Sequence, residues 1–258
     1  MHNKLDETAI CTRLDTATQA GLCKIHVFQQ LDSTNRWCLQ EGQCGDVCLA
    51  EQQTAGRGRC GRQWESPAGS NVYLSLRWCF AHVPPHLPLL SLVTGLAVAE
   101  ALEDCALAGH GLKWPNDLYY ADRKLGGILL EAVGSLEQVV IGIGLNVNML
   151  PEEVAVIDQP WISLRAIHGD RLDRNVLVAA ILRRLVTQLQ EFPMLDMARF
   201  RQDWQRWDVL AGRPVRVLSG SQVSEGVAYG VDTQGQLQLK GADGSLRTFS
   251  SADVSVRM

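Results

Sequence analysis

Gln52-Gln-Thr-Ala-Gly-Arg-Gly-Arg-Cys-Gly-Arg-Gln-Trp64 sets three glycines among three arginines directly after a predicted strand, Val47-Cys-Leu-Ala50. No packed helix or strand selects such a composition. Glycine lets a backbone turn tightly or approach a ligand closely, and the arginine fork matches carboxylate and phosphate oxygens. The stretch reads as a flexible anion-binding loop. Taken alone it reads equally as a solvated basic turn, and a loop that contacts nucleic-acid phosphates is a third reading.

The rest of the composition narrows these readings. Across 258 residues there are 24 basic and 28 acidic side chains, a net charge of −4, so no wide basic footprint for nucleic acid or anionic membrane exists. Hydrophobic residues make up 46% and charged residues 20%, enough to bury a sizeable core. The eight cysteines fall without a CxxC pair, which gives no zinc signature. The first residues lack the apolar stretch of a signal peptide, so the thiols are expected to stay reduced in a cytoplasmic protein. Pro84, Pro85 and Pro88 interrupt the least charged segment, Trp78 to Ala99, and bar it from spanning a membrane as one helix.

Changes of hydrophobic period divide the chain into three zones. Residues 1–24 carry Leu5, Ile10 and Leu14 at loose helical spacing, a short helical segment too small for a helix-turn-helix domain with its linker. Residues 25–210 mix both periods. Val72 to Trp78 and Gln138 to Val147 read as strands, Leu89 to Leu107 as a helix, and Asp173 caps another helix with a stripe of Leu177, Ile181, Leu185 and Leu189. Residues 211–258 hold short alternations, Val215/Val217, Val227/Tyr229/Val231, Leu237/Leu239 and Val254/Val256, between glycine and serine turns. These predict a small β-barrel that leans on the central domain.

Three further segments carry chemistry. Gly111-Leu-Lys-Trp-Pro-Asn-Asp-Leu118 sets an ammonium, an amide and a carboxylate around a proline, and Asp122-Arg-Lys-Leu-Gly-Gly-Ile-Leu-Leu-Glu131 places Lys124 ahead of two glycines. Taken singly, Asp117 is as well explained by a turn and Lys124 by a surface charge. Gly142-Ile-Gly-Leu-Asn-Val-Asn148 alternates glycine within a strand, which marks a bulge or a close approach by backbone or ligand; Asn146 and Asn148 point to one face. Leu31-Asp-Ser-Thr-Asn-Arg-Trp37 offers a helix N-terminus with three small polar side chains, where capping accounts for one.

Together the motifs STN at 33–35, QTAGRGRCGRQW at 53–64, KWPNDL at 113–118, DRKLGGIL at 122–129 and GIGLNVN at 142–148 resemble the bacterial biotin protein ligase family, in order and spacing. The resemblance covers roughly residues 10–258. It implies an α+β fold: a mixed β-sheet catalytic domain flanked by helices, of the class II aminoacyl-tRNA synthetase and biotin ligase type, with a small C-terminal SH3-like barrel. It also implies the reaction. Biotin and MgATP form biotinyl-5′-AMP, and a lysine of the biotin carboxyl carrier protein of acetyl-CoA carboxylase then displaces AMP.

Position by position, the resemblance assigns the biotin head group to Ser33, Thr34, Asn35 and Gln53, and the closing loop to Arg57, Gly58 and Arg59. Lys124 would bridge the biotin carboxylate and the α-phosphate. Arg62 and Asn146 match phosphate or metal contacts, Trp64 closes the loop, and Trp161 matches an aromatic that stacks on adenine. Asp117 matches a carboxylate that orients or deprotonates the incoming lysine, with Lys113 holding it ionised. No protein metal site is expected, Mg²⁺ arriving with the nucleotide.

Two departures from the family pattern stand out. Cys60 replaces the third arginine of the usual GRGRRGR run, and residues 1–24 cannot hold the DNA-binding winged helix of the regulatory members, so no operator binding is expected. The oligomeric state, monomer or homodimer, stays open. A lipoate or octanoate transferase shares the superfamily, and a non-catalytic binding module is the remaining alternative.

Overall fold

The computed structural model describes residues 4–153, 157–219, 222–251 and 254–257. Two short helices, α1 (Glu7–Cys11) and α2 (Thr16–Gly21), are capped by the side chains of Asp6 and Asp15. The main sheet and its helices follow as β1 (Ile25–Phe28), α3 (Thr34–Gln40), β2 (Val47–Ala50), β3 (Val72–Cys79), α4 (Leu90–Asp104), β4 (Gly111–Lys113), β5 (Asp117–Tyr120), β6 (Arg123–Val133) and β7 (Ser135–Leu145). Beyond them come α5 (Leu164–His168), α6 (Arg174–Glu191) and α7 (Met197–Trp207), then β8 (Pro214–Ser219), β9 (Gln222–Val231), β10 (Leu237–Lys240), β11 (Leu246–Phe249) and β12 (Val254–Arg257).

The first seven strands form one sheet in the order β1-β2-β3-β7-β6-β5-β4. Only the β1–β2 pair among them is parallel, which makes the sheet mixed. Alternation along each strand gives the two faces different tasks. Leu74 and Leu76 of β3 and Ile141 and Ile143 of β7 enter the main core, to which α4 and α6 also contribute. The predicted stripe on α6, Leu177, Ile181, Leu185 and Leu189, is buried there throughout, and each such side chain contributes about 1.5–3 kcal/mol on burial. Leu5, Ile10 and Leu14 join the same core, so the N-terminal helices pack into the body of the protein.

On the opposite face the antiparallel register aligns three rows. Tyr73 pairs with Gly144, which pairs with Gly127, which pairs with Asp117. Ser75, Gly142 and Leu129 form the next row, and Arg77, Val140 and Glu131 the third. Helix α3 lies over the far end, where Cys38 packs on Cys48 and Val140. The glycines noted in the sequence therefore leave a trough on this face between α3 and β5.

Strands β8–β12 build a separate antiparallel sheet in the order β11-β10-β9-β8-β12. It rests on the main body through the very motif singled out in the sequence. The buried Trp114 donates its Nε1–H to the Gly235 carbonyl at 2.9 Å, and Arg213 pairs with Asp122 at 2.6 Å. The fold class is the α+β arrangement the resemblance implies.

One expectation is overturned. Cys44 and Cys79 form a disulfide, with Cα atoms 5.6 Å apart, where all thiols were expected to be reduced. Register explains the pairing: Val47 of β2 opposes Leu76 of β3, so three steps outward along both strands bring position 44 across from 79. The other six cysteines are free. The unfolded, unreduced chain is expected to titrate six thiols with Ellman's reagent and eight after reduction; eight without reduction would refute the pairing. Separately, Leu74→Ala should lower the urea-unfolding free energy by about 2–5 kcal/mol.

Candidate active site

A cavity of about 140 Å³ lies in the trough. Its head end begins at the N-terminus of α3. Ser33 is the N-cap, and its Oγ accepts a hydrogen bond from the Arg36 amide. Gln53 Oε1 accepts from the Thr34 amide at 2.9 Å and lies 3.1 Å from Thr34 Oγ1, while Gln53 Nε2 donates to Ser66 Oγ at 3.0 Å. These four motif residues, Ser33, Thr34, Asn35 and Gln53, all line the cavity.

Asn35 is held almost entirely by the protein. Its Oδ1 accepts from Ser75 Oγ at 2.6 Å, and its Nδ2 donates to Glu131 Oε2 at 2.9 Å and faces the Leu129 carbonyl at 3.4 Å. Ser75 Oγ also lies 2.8 Å from Thr34 Oγ1. The amide oxygens of Asn35 and Gln53 can only accept, so Thr34 gives its single hydroxyl proton to Gln53, and Ser75 directs its own toward Asn35 and Thr34. A Cβ at Gly142 would overlap Asn35 Oδ1, which accounts for that glycine.

The arginine stretch is not a featureless loop. Trp64 N–H donates to the Gly56 carbonyl at 2.9 Å and Gly58 N–H to the Arg62 carbonyl at 2.7 Å, which closes a narrow hairpin over the cavity. At its tip Cys60 adopts φ 53°, a left-handed conformation uncommon outside glycine. Arg57 pairs with Glu131 at 2.8 Å, and Arg59 donates to Asn116 Oδ1 at 3.1 Å and to the Ser251 carbonyl of the C-terminal sheet. Arg62 has no ion-pair partner among the described residues. Trp64 folds back onto the sheet, where a Cβ at Gly144 would come within 2.6 Å of its ring.

At the other end, Lys124, the second residue of β6, reaches Asp117 with Nζ 2.8 Å from Oδ1; both side chains are largely buried. The ammonium also lies over the Trp64 ring, 5.4 Å from its centroid. Gly127 lies against all three side chains: a Cβ there would sit in ordinary van der Waals contact with Lys124, Trp64 and Asp117 at 3.4–3.5 Å. Lys113, buried beside the cavity, donates to Tyr119 Oη at 3.2 Å. Burial depresses its ammonium below the usual lysine range despite the opposing pull of Asp117, and burial with the Asp117 charge pushes the Tyr119 phenol up to about 12.

Two assigned residues sit differently. Asn146 Nδ2 faces the carbonyls of Lys124 and Ile162 at 3.3 and 3.2 Å, so its amide hydrogens tie two backbone segments together. Trp161 forms an isolated bridge with Lys124 and is half-buried, outside the lining of this cavity. Ser75 and Glu131 were not identified from the sequence. Alternation from Gly142 and from the paired glycines is the one signal that would have placed them on the same face.

A polar, neutral pocket joined along a strand to a cluster of arginine and lysine defines an enzyme site for a small carboxylic acid and a phosphate-bearing partner. Residues 27–148 match the Biotin/lipoate A/B protein ligase family, and residues 211–257 match the Biotin protein ligase C terminal domain. The chain is 40% identical to the bifunctional ligase/repressor BirA of Escherichia coli over 239 residues, 90% of this chain and 74% of that one. It is 35% identical to the biotin–(acetyl-CoA-carboxylase) ligase of Mycobacterium tuberculosis over 260 residues, covering 97% and 95% of the two. The Aquifex aeolicus biotin protein ligase in complex with biotin and ATP superposes with a TM-score of 0.78 at 30% identity, over 90% of this chain and 98% of that one. The chain belongs to the biotin protein ligase family.

Gly142→Ala is expected to drive Asn35 off both Ser75 and Glu131. Loss of a charge-assisted bond of about 2 kcal/mol should lower the melting temperature by roughly 5 °C. A variant as stable as the parent would show that this contact does not hold the pocket.

Proposed function

We infer that the protein is an ATP-dependent biotin ligase that makes biotinyl-5′-AMP and transfers the biotinyl group to a lysine of a biotin carboxyl carrier protein, that of acetyl-CoA carboxylase. The observation that carries this reading is the convergence of Arg59, Arg62 and Lys124 on a single cavity that also holds the neutral Ser33-Thr34-Asn35-Gln53 pocket. Uncharged donors and acceptors suit a ureido ring. Cations suit the place where a carboxylate must approach a polyphosphate.

In the first step a biotin carboxylate oxygen attacks the α-phosphorus, and the bond to the β-phosphate oxygen breaks to release pyrophosphate. Lys124, with Arg59 and Arg62, offsets the repulsion of the two anions and the charge on the equatorial oxygens. Once ligand oxygens engage Lys124, Asp117 loses its partner and is free to accept a proton. In the second step the carrier lysine attacks the acyl carbon, AMP leaves, and Asp117 takes the amine proton. Arg57, Gly58 and Arg59 close the hairpin over the intermediate, and Trp64 seals it against the sheet. Trp161 stacks on the adenine, and Asn146 ties β6 at Lys124 to the segment at Ile162 so that Lys124 and Trp161 are presented together.

Mg²⁺ is carried as MgATP. Mg²⁺ characteristically binds through substrate phosphates with one or two carboxylates. We place the catalytic domain at residues 25–210 and the C-terminal domain at 211–258. The helices ahead of β1 pack into the core of the catalytic domain.

The purified protein with MgATP should release pyrophosphate only when biotin is added, and should transfer biotin but not lipoate to the carrier; equal use of both acids would remove the assignment. Lys124→Ala is expected to slow adenylate formation by about 100-fold or more, the effect of losing one fixed donor to developing charge. Arg59→Ala should instead form adenylate but release it sooner, measured by its appearance in filtrate. Normal adenylate formation by Lys124→Ala would contradict the role given to that ammonium.

A further inference from the structure

Glu131 joins the two halves of the site, and no role assigned above accounts for it. Its carboxylate is split: Oε2 accepts from Asn35 Nδ2 at 2.9 Å and Oε1 pairs with Arg57 Nη2 at 2.8 Å. Asn35 belongs to the head-group pocket and Arg57 to the root of the arginine hairpin. The carboxylate is about one-fifth exposed and sits against the buried Asn35, while Arg57 is 38% exposed, so solvent screens the ion pair in part.

The consequences run in both directions from this one side chain. Through Asn35, Glu131 fixes Ser75, whose hydroxyl lies within hydrogen-bond distance of both Asn35 Oδ1 and Thr34 Oγ1 and so ties Thr34 to the same network. Through Arg57, it neutralises a guanidinium that would otherwise stand beside the pocket as an unpaired charge. Arg57 opposes Gln63 across the hairpin, so its anchorage fixes where both limbs leave the sheet. Strand geometry gives the reach. Glu131 lies four residues beyond Gly127 on the same face of β6, roughly 13 Å from the Lys124–Asp117 end, too far to act on the reacting phosphate.

We propose that Glu131 is a positioning residue that makes occupation of the biotin head-group pocket and closure of the arginine hairpin one coupled event. Filling the pocket sets Thr34, Ser75 and Asn35, and the shared carboxylate transmits that order to Arg57. This rests on the ligase reading, because it takes biotin as the ligand of the pocket.

The test uses Glu131→Gln, which can still accept from Asn35 but loses the charge facing Arg57, together with Glu131→Asp, Arg57→Ala and the double variant Glu131→Gln/Arg57→Ala, all as full-length protein. Biotin affinity is measured without ATP by calorimetry, hairpin closure by biotin-dependent protection from trypsin, and turnover by biotin-dependent pyrophosphate release. Glu131→Gln should weaken biotin binding and raise its KM by about tenfold with kcat within about twofold, and should abolish protection by biotin at matched saturation. Glu131→Asp should restore part of the affinity. The double variant should bind no more weakly than the worse single variant, since both remove one shared arm. Additive losses, unchanged KM, or a fall in kcat at constant KM, as simple loss of folded enzyme gives, would each overturn the proposal. Should parental protein fail to bind biotin or release pyrophosphate, the ligase reading itself fails, an outcome distinct from these.

Discussion

Electrostatic repulsion between two anionic substrates is the constraint around which this site is organised. A carboxylate brought to a triphosphate in a partly dry trough needs cations already in place, yet cations buried without partners would destabilise the folded chain. The protein meets both demands by parking its charges. Lys124 rests on Asp117 at 2.8 Å and Arg57 on Glu131 at 2.8 Å, while Arg59 is held by neutral oxygens. Each cation is thus tolerable where it stands, and in the proposed reaction it is placed to receive the anions. Only Arg57 keeps its partner in the account developed above; the Lys124 pair must open for chemistry to proceed.

The scaffold makes this possible through register. Antiparallel pairing of β3, β7, β6 and β5 puts Tyr73, Gly144, Gly127 and Asp117 in a single row, and Gly144 clears the space that the Trp64 ring occupies. The next row supplies Ser75 and Gly142, above which Asn35 is seated. Because side chains alternate, the same strands deliver Leu74, Ile141 and Ile143 to the core beneath. The C-terminal sheet takes part as well: it accepts from Trp114 through Gly235 and from Arg59 through Ser251, so it touches both the KWPND motif and the arginine hairpin.

Much of this was legible in the sequence, and what was not has a physical cause. Strongly periodic elements were readable: the α6 stripe, the β7 run and the short alternations past residue 211 all form the predicted structures. The motif residues were readable because glycines and arginines in such density serve no packing purpose. Helix α4 ends three residues before the predicted Leu107, where Ala106 takes a positive φ of 59° and closes the helix. Ser75 and Glu131 escaped notice because each is an ordinary residue in a strand, and its importance arises only from register with residues distant in sequence. The Cys44–Cys79 bond escaped for the same reason: it depends on the β2–β3 pairing, which spacing alone does not reveal.

In the proposed reaction Lys124 exchanges its carboxylate partner for substrate oxygens. A crystal structure with biotin and a non-hydrolysable MgATP analogue tests it most directly. Lys124 Nζ is expected between the biotin carboxylate and the α-phosphate, within hydrogen-bond distance of both, with Asp117 released. Retention of the Lys124–Asp117 contact, with the two anions bound elsewhere along the trough, would contradict it.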